Sequence, residues 1–287
     1  MIEHARVFDC EGSPLVGIIH SSDTPADIGV IIVVAGGPQY RVGVSRQFVN
    51  MGRYLASNHI PCLRFDHRGV GDSGGQNRGF IDMHADIRSA IDLLTDAFPH
   101  LRGVVLWGEC ESASGCAFYG YQDERVKALF LANPWIRTDE GQAKTYIKHY
   151  YLQRLLSKSL WRKVFSGQFN VIKSMSGFFS VAAQARKSSD KSQSQTNSQD
   201  FSGLSLPLRL TRSTEQFCGP IQILTSGKDF IAQEFNDYAA SSSIWQKILA
   251  RDNVSNHMLA DADHSFSRKE WRQQMFESLL KLVKKIK

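Results

Sequence analysis

Apolar residues follow two alternating patterns along this chain. Residues 29–34 and 103–107 are short apolar runs that begin with glycine, a pattern typical of strands buried on both faces. Between them, Ile87, Ile91 and Leu94 have helical spacing in a segment that we expect to be helical from about 83 to 98. The alternation predicts an α/β fold with a mostly parallel central sheet and helices on both faces.

The same patterns divide the chain into a core and an insertion. Strand signals also occur at 4–8, 15–19, 61–65, 126–132, 221–225 and 256–259, and further helical patterns at 46–55, at 112–121 and at the end of the chain. The strand signals stop between about 134 and 210, where the sequence is helical and basic and finally of low complexity. We therefore predict one core domain, residues 1–133 and 216–287, interrupted by an inserted helical lid at 134–215. Residues 188–202 are mostly Ser, Gln, Asn and Asp, so we expect a mobile loop there.

Composition and cysteine usage favour a cytoplasmic location. Apolar residues make up 42% of the chain, without a run of about 18 that would predict a membrane-spanning helix. The first residues lack the basic start and apolar run of a signal peptide. Five scattered cysteines without a CxxC pair indicate neither a disulfide framework nor a zinc site. We predict no cofactor and no metal.

A turn between a predicted strand and a predicted helix has the spacing of a nucleophile elbow. Small residues must lie two positions before and after the nucleophile, because the backbone reverses closely there. Gly108-x-Cys110-x-Ser112 satisfies this rule directly after the 103–107 run. Ser112-x-Ser114-x-Cys116 also has small flanks, but it would place the nucleophile one turn inside the helix. Cys110 is therefore the predicted nucleophile, although most free cysteines are simply buried apolar residues.

Two residues further along the chain could activate this thiol. A cysteine nucleophile needs a nearby base, and His264 follows the last predicted strand, whereas the competing His257 falls within it. Asp229 follows the penultimate strand and is preferred over Asp261 and Asp263 as the acid that orients the histidine; a helix cap is its alternative role. The order nucleophile, acid, histidine is that of α/β-hydrolases.

Acyl chemistry also requires hydrogen-bond donors aimed at a developing oxyanion. The backbone N–H of Glu111, directly after the proposed nucleophile, is one predicted donor. The loop after the 29–34 strand should supply the other, and Gly37 is preferred, with Gln39 next, because Pro38 has no N–H. Glu109 and Glu111 flank Cys110, and carboxylates that point inward would disfavour a thiolate.

These motifs resemble those of known hydrolases. Together they resemble the α/β-hydrolase superfamily, on the evidence of Gly36-Gly37-Pro38, Asp66-His67-Arg68-Gly69-x-Gly71-x-Ser73, the elbow, Gly227-Lys228-Asp229 and Asp263-His264. Residues 35–43, the cysteine elbow and residues 148–155 resemble, more narrowly, the exosortase A system-associated hydrolase family, type one. That resemblance implies acyl hydrolysis or acyl transfer linked to bacterial exopolysaccharide and protein-sorting gene clusters.

The positive charge of the chain, +6 overall, is concentrated in the predicted lid. Ten Lys or Arg residues and a single acid, Asp190, lie between 144 and 191. This segment is either a solvated helix face or a docking surface for an anionic partner, such as an acyl carrier protein, coenzyme A or the cytoplasmic leaflet in peripheral contact. Aromatic and basic residues do not interleave as in nucleic-acid binders. The predicted substrate-binding residues are Gln39, Tyr40, Tyr150, Tyr151 and Trp161.

The sequence thus predicts an acyl hydrolase or acyltransferase with a Cys110–His264–Asp229 triad. Its substrate would be an ester or thioester, and its intermediate an acyl-cysteine. The alternative is a non-catalytic binding protein on a hydrolase scaffold, because a fold does not guarantee activity. A carbon–carbon or halide-bond hydrolase is less favoured, because aspartate or serine usually occupies the nucleophile position for those reactions.

Overall fold

A computed structural model describes residues 1–24, 26–34, 39–137 and 200–286. The predicted lid, 134–215, lies for most of its length outside the described residues, as does the predicted mobile loop up to 199. Four of the predicted site residues also lie outside them: Gly37, Tyr150, Tyr151 and Trp161. The described residues 1–136 and 202–286 form one compact unit.

The centre of this unit is an eight-stranded sheet with the order β1-β2-β4-β3-β5-β6-β7-β8. The strands are β1 (Ile2–Cys10), β2 (Ser13–Ser21), β3 (Ile28–Val33), β4 (Cys62–Asp66), β5 (Gly103–Glu109), β6 (Val126–Ala132), β7 (Ile221–Ser226) and β8 (Val254–Leu259). β2 is antiparallel to both of its neighbours, whereas β3 to β8 pair in parallel. The carboxyl ends of these parallel strands therefore meet at one edge, where ligands bind in open α/β sheets.

Seven α-helices lie within the described residues: α1 (Gln47–Ser57), α2 (His84–Ala97), α3 (Glu111–Gly120), α4 (Leu206–Gln216), α5 (Phe230–Ser241), α6 (Ser243–Leu249) and α7 (Lys269–Lys285). None of them is both long enough and apolar enough to span a bilayer. Two short 3-10 turns, Val44–Arg46 and Phe80–Asp82, precede α1 and α2.

The central strands are buried on both faces, and their side chains alternate between two apolar clusters. Ile31 and Leu106 belong to the cluster under α2, α3, α4, α5 and α6. Val30, Ile32 and Trp107, one position away, belong to the cluster under α1 and α7. Helices therefore cover both faces, and the predicted α/β-hydrolase fold with a mostly parallel sheet is confirmed.

Helix α4 packs against α3 in the compact unit, although its residues up to 215 were assigned to the insertion. The Arg209 guanidinium lies 4.2 Å from the centre of the Phe118 ring on α3, and Leu210 is fully buried in the same cluster. On its other side, Thr211 Oγ1 accepts a 2.9 Å hydrogen bond from the Trp245 indole of α6. The core section of the chain therefore resumes before 216, because this helix buries its apolar face against the core.

Candidate active site

The backbone reverses sharply between β5 and α3, at Cys110. This residue has φ 62° and ψ −125°, in a region that side chains other than glycine rarely occupy and that costs about 1–3 kcal/mol. A Cβ on Gly108 would lie 2.5 Å from the Ser112 carbonyl oxygen, so a larger residue cannot fit there. Ser112 Oγ closes the turn, because it accepts from the Glu109 N–H and donates to the Glu109 carbonyl, both at 2.9 Å.

The turn presents Cys110 at the amino end of α3. Its side chain is half-buried, and its N–H donates to the Ala132 carbonyl at 2.9 Å. Helix amino ends favour nearby negative charge, which suits a thiolate. Cys116, the rival from the alternative register, is fully buried inside α3, and burial raises the pKa of its thiol above the usual range. Of these two cysteines, only Cys110 lies on the turn.

His264 and Asp229 come from two loops and meet beside Cys110. His264 Nδ1 lies 2.7 Å from Asp229 Oδ2, and since a carboxylate only accepts hydrogen bonds, this nitrogen carries the proton. The other ring nitrogen is not engaged by Asp229, and the Cys110 side chain lies near enough to the imidazole to influence its pKa. Asp229 is buried and caps α5 by accepting from the Ile231 and Ala232 amides, at 3.1 and 3.2 Å. It therefore has both of the roles considered from the sequence.

These contacts determine the protonation of His264. Burial lowers the pKa of the imidazole, but the hydrogen bonds to Asp229 and Cys110 and the negative charges of both groups outweigh burial and raise the pKa to about 10. The histidine is consequently an imidazolium near neutral pH.

The competing residues lie elsewhere. Asp261 is exposed and pairs with Lys228 at 2.8 Å, and Asp263 accepts from the Ser267 amide at 2.9 Å. His257 is exposed on the edge strand β8, not packed as the sequence suggested. Asp229 is therefore the acid that bonds to His264.

Asn133, at the end of β6, holds the histidine loop and was not identified from the sequence as part of the site. Its Nδ2 donates to the His264 carbonyl at 2.9 Å and to Ser226 Oγ at 3.0 Å, and its Oδ1 accepts from the Ser226 N–H at 2.8 Å. Ser226 Oγ in turn donates to the Asp263 carbonyl at 2.8 Å. Asn133 is fully buried and has a left-handed φ of 45°, a conformation that asparagine tolerates better than most residues.

Of the two predicted oxyanion donors, one can be placed. Glu111 is the first residue of α3, so its backbone N–H lies at the amino end of that helix. Gly37 lies outside the described residues. Among the predicted substrate-binding residues, Gln39 is half-buried and Tyr40 is 45% exposed.

A buried carboxylate fixes the chain just after the predicted oxyanion loop. Asp66 accepts from the Arg41 backbone N–H at 2.6 Å, from the Arg41 guanidinium, and from the Asp72 N–H at 3.1 Å. Gly71 has a left-handed φ of 59°, and a Cβ there would lie 2.3 Å from Asp66 Oδ2. The Asp66-to-Ser73 motif is therefore a structural clamp on this loop.

A comparison with protein families identifies the chain. The model of the serine aminopeptidase, S33, family matches residues 28–268. The chain belongs to this family. It is thus an α/β-hydrolase, as its motifs led us to expect, and it carries Cys110 at the strained turn between β5 and α3, in a family named for serine.

Solved structures with the same fold include several esterases. An esterase of Pyrococcus furiosus, Pf2001, has a TM-score of 0.65 at 15% identity, with 99% of this chain and 91% of that chain covered. The esterase Est1E of Butyrivibrio proteoclasticus, with bound ferulic acid, has a TM-score of 0.61 at 12% identity and coverages of 98% and 100%. The esterase domain of a Rhodothermus marinus protein has a TM-score of 0.62 at 14% identity, with 99% of each chain covered. A search of curated proteins finds no match.

The described part of this S33-family chain offers no metal site, because no group of three or more His, Cys, Asp or Glu side chains there is arranged to hold an ion. The contacts described above instead join a thiol, an imidazole and a carboxylate. Such a set can transfer a proton from a nucleophile to a base and stabilise the charge that results.

Asn133→Ala tests the clamp on the histidine loop. The substitution leaves the buried Ser226 N–H without its acceptor and the His264 carbonyl without its donor, so we expect the free energy of unfolding to fall by about 1–3 kcal/mol. Asn236→Ala is the matched control, since Asn236 is half-buried and makes one long bond, 3.4 Å, to Thr225. Urea unfolding measures the free energy of unfolding of both variants. Equal values would contradict the assignment of Asn133 as the residue that holds the histidine loop.

The raised pKa of His264 predicts a pH dependence of stability. The folded protein keeps the His264 proton up to about pH 10, whereas the unfolded chain loses it near the ordinary value of 6.5. The stabilisation is therefore complete below 6.5 and lost as the pH rises to about 10. Across this window, the free energy of unfolding should decline more steeply in the wild-type protein than in His264→Gln. His257→Gln, on exposed β8, should keep the wild-type slope, and parallel curves for all three proteins would refute the prediction.

Proposed function

We propose that this chain is an acyl hydrolase or acyltransferase that acts on esters or thioesters through an acyl-cysteine intermediate. The observation that carries the proposal is the 2.7 Å bond between His264 and Asp229 at a site whose third member, Cys110, lies on a strained turn and influences the imidazole. A non-catalytic binding protein would not need a left-handed cysteine at a helix amino end beside a paired histidine.

The reaction starts from a thiolate and an imidazolium, the pair that results when the Cys110 thiol has given its proton to His264. In the first step, the thiolate sulfur attacks the carbonyl carbon of the substrate. A carbon–sulfur bond forms, and the carbonyl π electrons move onto oxygen. Asp229 stabilises the imidazolium and holds its orientation. When the tetrahedral intermediate collapses, the bond to the leaving group breaks, and the leaving alkoxide or thiolate takes the proton from His264.

The oxyanion of this intermediate requires donors that are already in position. The Glu111 N–H, at the amino end of α3, is the first proposed donor, and the Gly37 N–H is the second. Removal of a single such donor in other hydrolases costs about 100- to 1,000-fold in kcat. Asp66 supports the proposal indirectly, because it anchors the chain that follows Gly37 through Arg41.

In the second step, an acceptor replaces the sulfur. Neutral His264 removes a proton from water, for hydrolysis, or from another nucleophile, for acyl transfer, and Cys110 leaves as a thiolate, which restores the thiolate–imidazolium pair. Cysteine suits thioester substrates, since a thiolate both attacks and leaves readily from an acyl-sulfur bond.

The proposed substrate and partners are inferred from residues outside the triad. Gln39, Tyr40, Tyr150, Tyr151 and Trp161 are the proposed acyl-pocket residues, and the part of the predicted insertion between 137 and 201 is the proposed lid. The basic residues between 144 and 191 suit an acyl carrier protein, coenzyme A or an anionic leaflet. The resemblance to exosortase A system-associated hydrolases favours a cytoplasmic enzyme of exopolysaccharide metabolism.

Intact-mass spectrometry with acyl-thioester donors tests the intermediate. We expect the wild-type protein to gain the mass of one acyl group and Cys110→Ala to gain none, because the acyl-sulfur bond cannot form. Cys218→Ala is the matched control: Cys218 is exposed, lies outside the triad, and its variant should be acylated like the wild-type protein. An undiminished adduct in Cys110→Ala, or no adduct in the wild-type protein, would contradict the proposal.

A further inference from the structure

Glu109, the residue before Cys110, carries a buried carboxyl group that the proposed reaction has not yet used. It is the last residue of β5 and is 5% exposed. Its Oε2 accepts a 3.1 Å hydrogen bond from Nε2 of Gln47, which is itself 1% exposed. Its Oε1 is also buried and has no hydrogen-bond partner among the described residues. Burial of an unpaired carboxyl oxygen is costly, so the position calls for an explanation.

The backbone brings Glu109 close to the histidine loop. Glu109 pairs with Ala132 across the β5–β6 ladder, and Asn133, the residue that follows β6, donates to the His264 carbonyl at 2.9 Å. The end of β5 that carries Glu109 therefore lies beside the residue that holds the histidine loop. Gln47 approaches from a third element, as the first residue of α1.

The charges around Glu109 reflect this arrangement. Burial raises the pKa of its carboxyl group, the positive charge of His264 and the bond from Gln47 lower it, and the negative charges of Asp229 and Asp263 raise it again, to about 7 in total. Among these charged neighbours, His264 has the largest influence. The carboxylate of Glu109 and the imidazolium of His264 consequently stabilise each other.

We propose that Glu109 is a positioning residue for the reaction proposed above, a second carboxylate that acts on His264 beside Asp229 and, held by Gln47, keeps the imidazolium protonated. The inference rests on the proposed function for its role in catalysis. Asp229 bonds to the ring directly, whereas Glu109 acts through space across a buried region, where charges interact more strongly than in water.

This arrangement has a defined consequence for the reaction. The leaving group takes its proton from His264, so acylation slows at the alkaline pH where the imidazolium loses its proton. Without the Glu109 charge, that loss occurs at lower pH. Glu109 becomes protonated in mild acid and then no longer stabilises the imidazolium. The effect of this carboxyl group on His264 therefore changes with pH near neutrality.

Titration of His264 by NMR in protein with nitrogen-15-labelled histidine tests the inference without a substrate. In Glu109→Gln, which keeps the shape but removes the charge, we expect the pKa of His264 to fall by about 1. Asp261→Asn is the matched control, because Asp261 is an exposed acid on the same loop that pairs with Lys228, and it should leave His264 unchanged. An unchanged His264 titration in folded Glu109→Gln would overturn the inference.

A second variant keeps the test decisive if Glu109→Gln does not fold. The double variant Gln47→Leu/Glu109→Leu replaces both buried polar side chains by apolar ones and removes the same negative charge. The pKa of His264 should therefore fall in it in the same direction as in Glu109→Gln. A His264 titration identical to that of the wild-type protein would again overturn the inference.

The pH profile of acylation separates this inference from the proposed function. If the acyl-cysteine forms, the pH above which the acylation rate falls should be lower in Glu109→Gln than in the wild-type protein. A variant whose fold is only less stable would not show this shift. If the wild-type protein forms no acyl-cysteine, the proposed function fails, whatever His264 shows. If the adduct forms but neither the His264 titration nor this pH limit of acylation moves, Glu109 has no such role and the triad proposal stands.

Discussion

The close packing of the backbone at the Cys110 turn is the constraint on which the candidate site depends. The chain leaves a fully buried strand and enters α3 within three residues, and the absence of a side chain at Gly108 permits the Ser112 carbonyl to approach. That approach forces Cys110 into a left-handed conformation. The strain is maintained because β5 is fixed by pairing with β3 and β6 on its two sides.

A second layer of hydrogen bonds brings the partners of Cys110 to the same edge of the sheet. Asn133 and Ser226 link the ends of β6 and β7 to the loop of His264, and Asp229 is fixed by the amides at the start of α5. These hydrogen bonds thus hold the backbone of the His264 loop and the side chain of Asp229. The imidazole needs this support, because it lies between two groups that raise its pKa far above the usual value.

Much of this arrangement could be predicted from the sequence. The buried strands were visible because their apolar runs are continuous, and Cys110, Asp229 and His264 follow strand ends in the order of α/β-hydrolases. Asn133 and Gln47 could not be identified, because their partners, Ser226 and Glu109, are distant in sequence and neither residue belongs to a recognised motif. Helices α5 and α6 were not predicted because the serines at 241–243 separate their apolar positions into two short patterns, neither of which stands out by itself.

The cysteine distinguishes this chain from the serine after which its family is named, and the account depends on whether the site activates that thiol. The most direct measurement is the rate at which iodoacetamide alkylates Cys110 across a pH series. Cys218→Ala should serve as the parent protein, so that the exposed Cys218 does not contribute. The account predicts rapid alkylation at about pH 7 that is lost in His264→Ala. Equally slow alkylation of both proteins, rising only in alkaline solution, would contradict it.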